Sequence, residues 1–225
     1  MTSPEEEKDG GLPRHQVTVT VGMGVEWDAA VQADAPIPAE TGVFRPEYIE
    51  ALALLAQVCG EVERKGYPTP ILVGGAAVEF HTGAAVVTGD FDFVTRHHEV
   101  FEEILPRYGF ILEEKHSDRL MKHFRHPTLD LGVEVVSEYL YPGSDAARIR
   151  PVKISGEERI AIYPVEDVIA DRLRQYAEDG RAEMLEQAIA LYNLADALDE
   201  AYLANRICAQ TSGEWSFVRL KEEAG

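Results

Sequence analysis

Two spacings of apolar residues alternate along the chain and divide it into helices and strands. From Pro46 the positions Tyr48, Ile49, Leu52, Leu55, Val58, Cys59 and Val62 recur mostly every three or four residues and stop at Gly66, with Pro68 and Pro70 beyond. That period predicts a helix with one buried stripe. Ile71-Leu72-Val73 then reads as a short apolar strand, followed by the pair Gly74-Gly75 and a helix-like run to His81. After Thr82-Gly83, the segment from Val86 to Val94 predicts a second strand, this one carrying carboxylates. Further on, the pattern predicts a helix over His97 to Arg107 and strands near Phe110 to Glu113, Arg119 to Phe124, Leu131 to Val136 and Ile149 to Ile154. Helices are expected over Val165 to Glu178 and Ala182 to Leu203. Ahead of Pro46, Gln16 to Val21 alternates like a strand added at a sheet edge, and Ala35 to Glu40 reads as a loop or crossover. Mixed strands first and helices last predict an α+β fold, a small mixed sheet flanked by helices with a C-terminal helical layer.

Composition narrows the function. The 225 residues are 45% hydrophobic and 27% charged, which is enough apolar material for one domain with at most an appendage. Only the acidic start, residues 1–15, broken by Pro4, Gly10, Gly11 and Pro13, is expected to be disordered. Forty acidic against 21 basic residues give a formal net charge of -19, so the surface as a whole repels phosphate backbones and anionic lipid. A nucleic-acid partner would need a local basic patch, and the cluster Arg119, Lys122, His123, Arg125 and His126 reads either as a guide for an anionic substrate or as a basic edge strand opposing the acidic surface. No apolar run approaches the ~18 residues of a membrane span, and the first residues lack the regions of a signal peptide, so the expected location is cytoplasmic. Cys59 and Cys208 are expected as two reduced core thiols. His97-His98 and His123-x-x-His126 lack the spacing or cysteine partners of a zinc site, and no P-loop, serine-hydrolase elbow or complete dinucleotide-binding glycine motif occurs.

The chemistry concentrates in three short segments. Asp90 and Asp92 are two apart, so on a strand both project from one face with Cα atoms roughly 6.5 Å apart. Phe91 and Phe93 point the other way, into the core. Carboxylates fixed side by side repel and are costly to desolvate unless a cation or donors lie between them. A strand end at which both acids meet water is the other reading. Mg²⁺ (or Mn²⁺) suits such oxygen ligands, using one or two carboxylates plus substrate phosphates. Gly74-Gly75, between a strand and a helix, is either a tight turn or a place where backbone N–H groups approach a phosphate. In the run Asp130 to Val136, Leu131, Val133 and Val135 share the core face and Glu134 stands opposite. Glu134 is the expected third carboxylate, with Asp130 as its substitute.

Gly74-Gly75, Thr88-x-Asp90-x-Asp92 and an acid in a later apolar strand, Val133-Glu134-Val135, together resemble the nucleotidyltransferase superfamily of the DNA polymerase β type. Within it the chain is most similar to abortive-infection-type bacterial nucleotidyltransferase toxins and related small proteins, over roughly residues 46–200. Pro164 to Leu173 resembles the helix start that follows the catalytic sheet in those proteins, where a basic residue meets the phosphates; here that residue is Arg172. The resemblance implies a catalytic domain over residues 16–160 with a C-terminal helical region, 161–225, packed on it. It implies transfer of a nucleoside monophosphate from an NTP to a hydroxyl of a protein, RNA or small-molecule acceptor, with pyrophosphate released. Asp90, Asp92 and Glu134 would be catalytic and hold the metal, while Gly74, Gly75, Thr88 and Arg172 would bind the nucleotide. A toxin-type enzyme would also have an antitoxin partner. The alternative is a catalytically inactive protein of the same fold, kept for binding or regulation. Val86 stands where many relatives carry an arginine, and Glu186-Gln187 where the toxins tend to show a basic and acidic pair.

Overall fold

A computed structural model describes residues 19–20, 36–37, 44–87, 89–113, 122–156 and 158–225. The expected disorder of residues 1–15, Thr88 and Arg119 lie outside them. Two short strands, β1 (Val19–Thr20) and β2 (Pro36–Ile37), precede helix α1 (Pro46–Arg64). Then come β3 (Ile71–Val73), α2 (Gly74–His81), β4 (Asp90–Val94), α3 (His98–Ile104), β5 (Ile111–Leu112), β6 (His123–His126) and β7 (Leu131–Ser137). A hairpin of β8 (Arg150–Ser155) and β9 (Glu158–Ile162) leads to α4 (Val165–Asp179), α5 (Ala182–Leu194), α6 (Glu200–Gln210) and α7 (Phe217–Ala224). Among the described residues the nine strands form one mixed sheet in the order β2-β1-β8-β9-β3-β4-β7-β6-β5. The pairs β3–β9 and β4–β7 are parallel and the others antiparallel.

Alternation along β4 decides which face of the sheet does what. Phe91 and Phe93 are fully buried, Phe91 stacked on Tyr48 of α1 at 5.3 Å between ring centroids and Phe93 against Phe101 of α3 at 4.9 Å. Helices α1 and α3 therefore cover this face, and the apolar stripe of α1 (Tyr48, Leu52, Leu55, Cys59, Val62) is buried as its period requires. Asp90 and Asp92 necessarily take the opposite face. The C-terminal helices α4 to α7 pack on one another, with α4 and α5 also against α2.

Several elements differ from the sequence reading. Strand β4 begins at Asp90 rather than Val86, because the chain leaves α2 through a turn in which Ala84 takes φ 66°. Pro36–Ile37, read as loop, pairs with β1. Leu105–Tyr108, expected as helix, is a 3₁₀ turn built around Pro106, whose ring cannot continue an α-helix. β6 is His123–His126, four residues beyond the expected start at Arg119. The helix expected over Ala182 to Leu203 is two helices, because Asp199 accepts a hydrogen bond from the Tyr202 N–H (2.9 Å) and starts α6 anew. Strand β9, absent from the reading, is central and parallel to β3, and α7 is capped by Ser216. Both cysteines are free, but Cys208 is exposed rather than in the core, since α6 turns Leu203, Arg206 and Ile207 inward. No helix of the described residues is long and apolar enough to cross a membrane.

One buried ion pair fastens the helical layer. Arg206 of α6 and Asp167 of α4 are 2% and 0% exposed, with Nε 2.5 Å from the carboxylate. The remaining guanidinium nitrogens of Arg206 donate to the Pro142 carbonyl (2.8 Å) and to Ser144 Oγ (3.0 Å), and Asp167 also accepts from the Tyr202 hydroxyl. Every polar group of the pair is thus satisfied, which is what makes its burial tolerable. Arg206→Leu leaves Asp167 charged and buried without its cation; a loss of about 3–5 kcal/mol is expected in urea unfolding, and a loss below about 1 kcal/mol would show the pair to be no more than a surface bridge.

Candidate active site

The site is built where β4, β7 and β6 lie side by side. Parallel pairing sets Asp92 opposite Glu134 and Asp90 opposite Gly132, and antiparallel pairing sets His123 beside Glu134 and Arg125 beside Gly132. Val133 and Val135 are buried like Phe91 and Phe93, so the acids share the other face.

Asp92 has the most perturbed environment of these acids. Burial pushes its carboxyl up to about 6, and the charge of Glu134 pushes the same way, with Asp90 adding to it. The Arg172 guanidinium and a hydrogen bond from the Gly75 N–H pull in the other direction. Gly74 makes that hydrogen bond geometrically feasible. It takes φ 62°, a conformation favouring glycine, and a Cβ there would overlap the Asp92 carboxylate. In this structure, then, the glycine pair brings the positive end of α2 against Asp92.

A cavity of about 290 Å³ opens beside this contact. Gly74, Asp92 and Glu134 line one side of it, and Arg172, Arg174 and Gln175 of α4 line another. Arg172 is 5% exposed; one of its terminal nitrogens lies 3.3 Å from both Gln175 Oε1 and Met184 Sδ, and its buried Nε has no hydrogen-bond partner. Arg174, Gln175 and the aromatic wall of Tyr141 and Tyr163 were not singled out from the sequence, since no local motif marks them.

Asp90 stands apart from the cavity. Its side chain is 59% exposed, with Oδ1 3.8 Å from His123 Nε2, and His123 Nδ1 lies 3.2 Å from Glu113. Gly132 permits this approach, because a Cβ there would overlap both the Asp90 carboxylate and the His123 ring. The described cations of the basic cluster face carboxylates: Lys122 meets Glu102, and Arg125 meets Glu113 and Asp130. Among the described residues, then, Lys122 and Arg125 are no bare patch for a polyanion. Asp130 lies in the β6–β7 turn, exposed and bonded to Arg125, so Glu134 is the acid that lines the cavity with Asp92.

Among the described residues no three His, Cys, Asp or Glu side chains stand together as a metal-holding group. Two acids do face the cavity, Asp92 and Glu134. One or two carboxylates completed by substrate phosphates is the usual arrangement for Mg²⁺, so the donor set fits a hard cation bound together with its substrate.

The raised carboxyl of Asp92 has a consequence for stability. The folded chain holds until about pH 6 a proton that an ordinary aspartate, at 3.8, has already released. Stability therefore falls as pH rises through that window. Asp92→Asn keeps an oxygen for the Gly75 N–H and removes the charge. In urea unfolding with EDTA, the variant is expected to gain on the wild type between about pH 4 and pH 7; a constant difference across the window would contradict the assignment.

No protein-family model matches the chain, and no curated protein matches it in sequence. Solved structures do match it in shape. The antibiotic-resistance factor ANT(2'')-Ia, 15% identical, covers 77% of this chain and 96% of its own length with a TM-score of 0.52. An antigenic nucleotidyltransferase-like protein from Paracoccidioides brasiliensis, 14% identical, covers 79% and 92% with a TM-score of 0.53. MenT4, a nucleotidyltransferase toxin from Mycobacterium tuberculosis H37Rv, 14% identical, covers 76% and 67% with a TM-score of 0.50. At these identities the likeness is one of architecture, and the chain has the nucleotidyltransferase fold.

Proposed function

We propose that this protein is a nucleotidyltransferase, moving a nucleoside monophosphate from an NTP to a hydroxyl of an acceptor and releasing pyrophosphate. The observation that carries the reading is the meeting, around one cavity, of two facing acids, Asp92 and Glu134, with the buried guanidinium of Arg172. Such a site holds opposite charges ready for an anion that brings its own cation. Mg²⁺ or Mn²⁺ at Asp92 and Glu134, with Asp90 on the same face, would supply Lewis-acid charge to the polyphosphate.

The residues themselves do the rest. Arg172 is poised for the phosphates, because its Nε is buried without a partner and a phosphate oxygen would satisfy it. Gly74 and Gly75 keep the α2 N-terminus close to the same oxygens. The acceptor hydroxyl oxygen forms the bond to the α-phosphorus while the bond from that phosphorus to the bridging oxygen breaks, and the β- and γ-phosphates leave together as pyrophosphate. The hydroxyl proton passes to Glu134, and Arg172 balances the charge that builds on the leaving group. Acceptor identity follows less directly. The net charge of -19 and the pairing of Lys122 and Arg125 with carboxylates weigh against a long polyanion and toward a protein or small molecule. The likeness to a toxin supports an antitoxin as partner.

A second reading, a regulatory protein that keeps the fold without turnover, draws support from Asp90, which faces His123 rather than the cavity. Incubation with each labelled NTP, Mg²⁺ or Mn²⁺ and candidate acceptors separates the two. Turnover is expected in the wild type and a loss of about 10²–10³-fold or more in Asp92→Ala and in Glu134→Gln, both checked for unchanged secondary structure; a wild type that transfers from no NTP would refute the enzyme reading in favour of the regulatory one, and transfer that survives Asp90→Ala with Asp92→Ala would refute this site.

A further inference from the structure

The cavity has two unlike kinds of lining. One is the charged set of Asp92, Glu134 and Arg172, and the other is the wall of Val136, Leu140, Tyr141, Tyr163 and Val168. A triphosphate needs only the first. Of the second, Tyr163 and Val168 are buried while Val136 and Tyr141 remain 46% and 41% exposed, and a flat or apolar group that covers these two gains by taking their surface out of water.

Tyr141 is the feature of this wall that stands ready. It remains 41% exposed although it lines the cavity, and the Arg174 guanidinium lies 4.6 Å from its ring centroid. Arg174 is itself held by Asp171 (3.0 Å) and Glu178 (2.5 Å), so the stacked pair does not depend on a ligand for its position. The loop that carries Tyr141 is fastened as well. Arg206 binds the Pro142 carbonyl and Ser144, and Ser144 bonds Tyr163 across the wall. An exposed aromatic ring with its neighbours locked in place costs little ordering when a planar group stacks on it.

We infer that the Tyr141–Arg174 pair is the surface on which the nucleobase of the NTP lies, with the phosphates running toward Arg172 and the two acids. This rests on the nucleotide reading of the cavity and adds to it a direction for the substrate and a residue that recognises its base. Stacking accepts any base, so Tyr141 supplies affinity for a nucleoside as such.

Binding separates the two claims. Dissociation constants for ATP, GTP, CTP, UTP and inorganic tripolyphosphate are measured by calorimetry in Mg²⁺ for the wild type, Tyr141→Phe and Tyr141→Leu, with melting curves to confirm folding. The wild type is expected to bind at least one NTP more tightly than tripolyphosphate. Tyr141→Leu is expected to weaken that NTP about ten-fold or more while leaving tripolyphosphate within about two-fold, and Tyr141→Phe to stay close to the wild type. Equal weakening of both ligands, no weakening of either, a Phe variant as poor as Leu, or NTP binding no tighter than tripolyphosphate overturns the stacking role while the phosphate site stands. A wild type that binds neither ligand overturns the nucleotide reading and this inference with it.

Discussion

Two carboxylates facing each other across adjacent strands raise the free energy of a fold, and the centre of this one is organised around such a pair. Asp92 and Glu134 are register partners on β4 and β7, and burial, with the charge of Glu134 added to it, pushes the carboxyl of Asp92 up to about 6. What holds the arrangement together is close at hand. The Gly75 N–H reaches Asp92 only because Gly74 has no side chain and adopts a positive φ, and Arg172 of α4 brings the compensating charge. A strand, a helix start and a distant helix are thus tied to one carboxylate. Sites that store unfavourable charge in this way are suited to ligands that relieve it, which is the ground for proposing a hard cation together with an anionic substrate.

The second fixed point lies behind the loop that carries Tyr141. Arg206 and Asp167 are buried together, and the three contacts of Arg206 span α4, the Pro142 carbonyl and Ser144. Helix α4 therefore serves twice, since its Asp167 holds Arg206, which in turn holds the loop with Tyr141, and further along the helix Arg172 and Arg174 face the cavity. Of the C-terminal helices α4 is a wall of the site, and α6 joins it to the loop between β7 and β8 through Arg206.

How far the residues foretold this depends on whether the signal was local. The alternation Asp90-Phe91-Asp92-Phe93 assigned two faces correctly, because a strand's period is two whatever surrounds it. The stripe of α1 and the acid between valines at Glu134 were legible for the same kind of reason. Strand β9 was not: Arg159-Ile160-Ala161-Ile162 is short, and its place beside β3 comes from a parallel pairing that leaves no mark in its own residues. The break between α5 and α6 was written in Asp199 as a cap, but a continuous apolar pattern hid it. Cys208 looked like a core thiol because its neighbours are apolar, and only the packing of α6 shows that those neighbours, not the thiol, turn inward.

By itself the amino-acid order determined the α+β class, the helix and strand periods, the pairing of Asp90 with Asp92 on one face and the candidacy of Glu134 and Arg172. These follow from spacing within a few residues, where backbone geometry leaves few choices. The tertiary structure decided that Asp92 and Glu134 face the cavity together, that Asp90 meets His123 across Gly132 and that Tyr141 and Arg174 meet at all. Asp90 and His123, and Tyr141 and Arg174, are each 33 positions apart, and Asp92 and Glu134 are 42 apart. Between such residues the chain order carries almost no distance information until strand pairing and helix packing have set it.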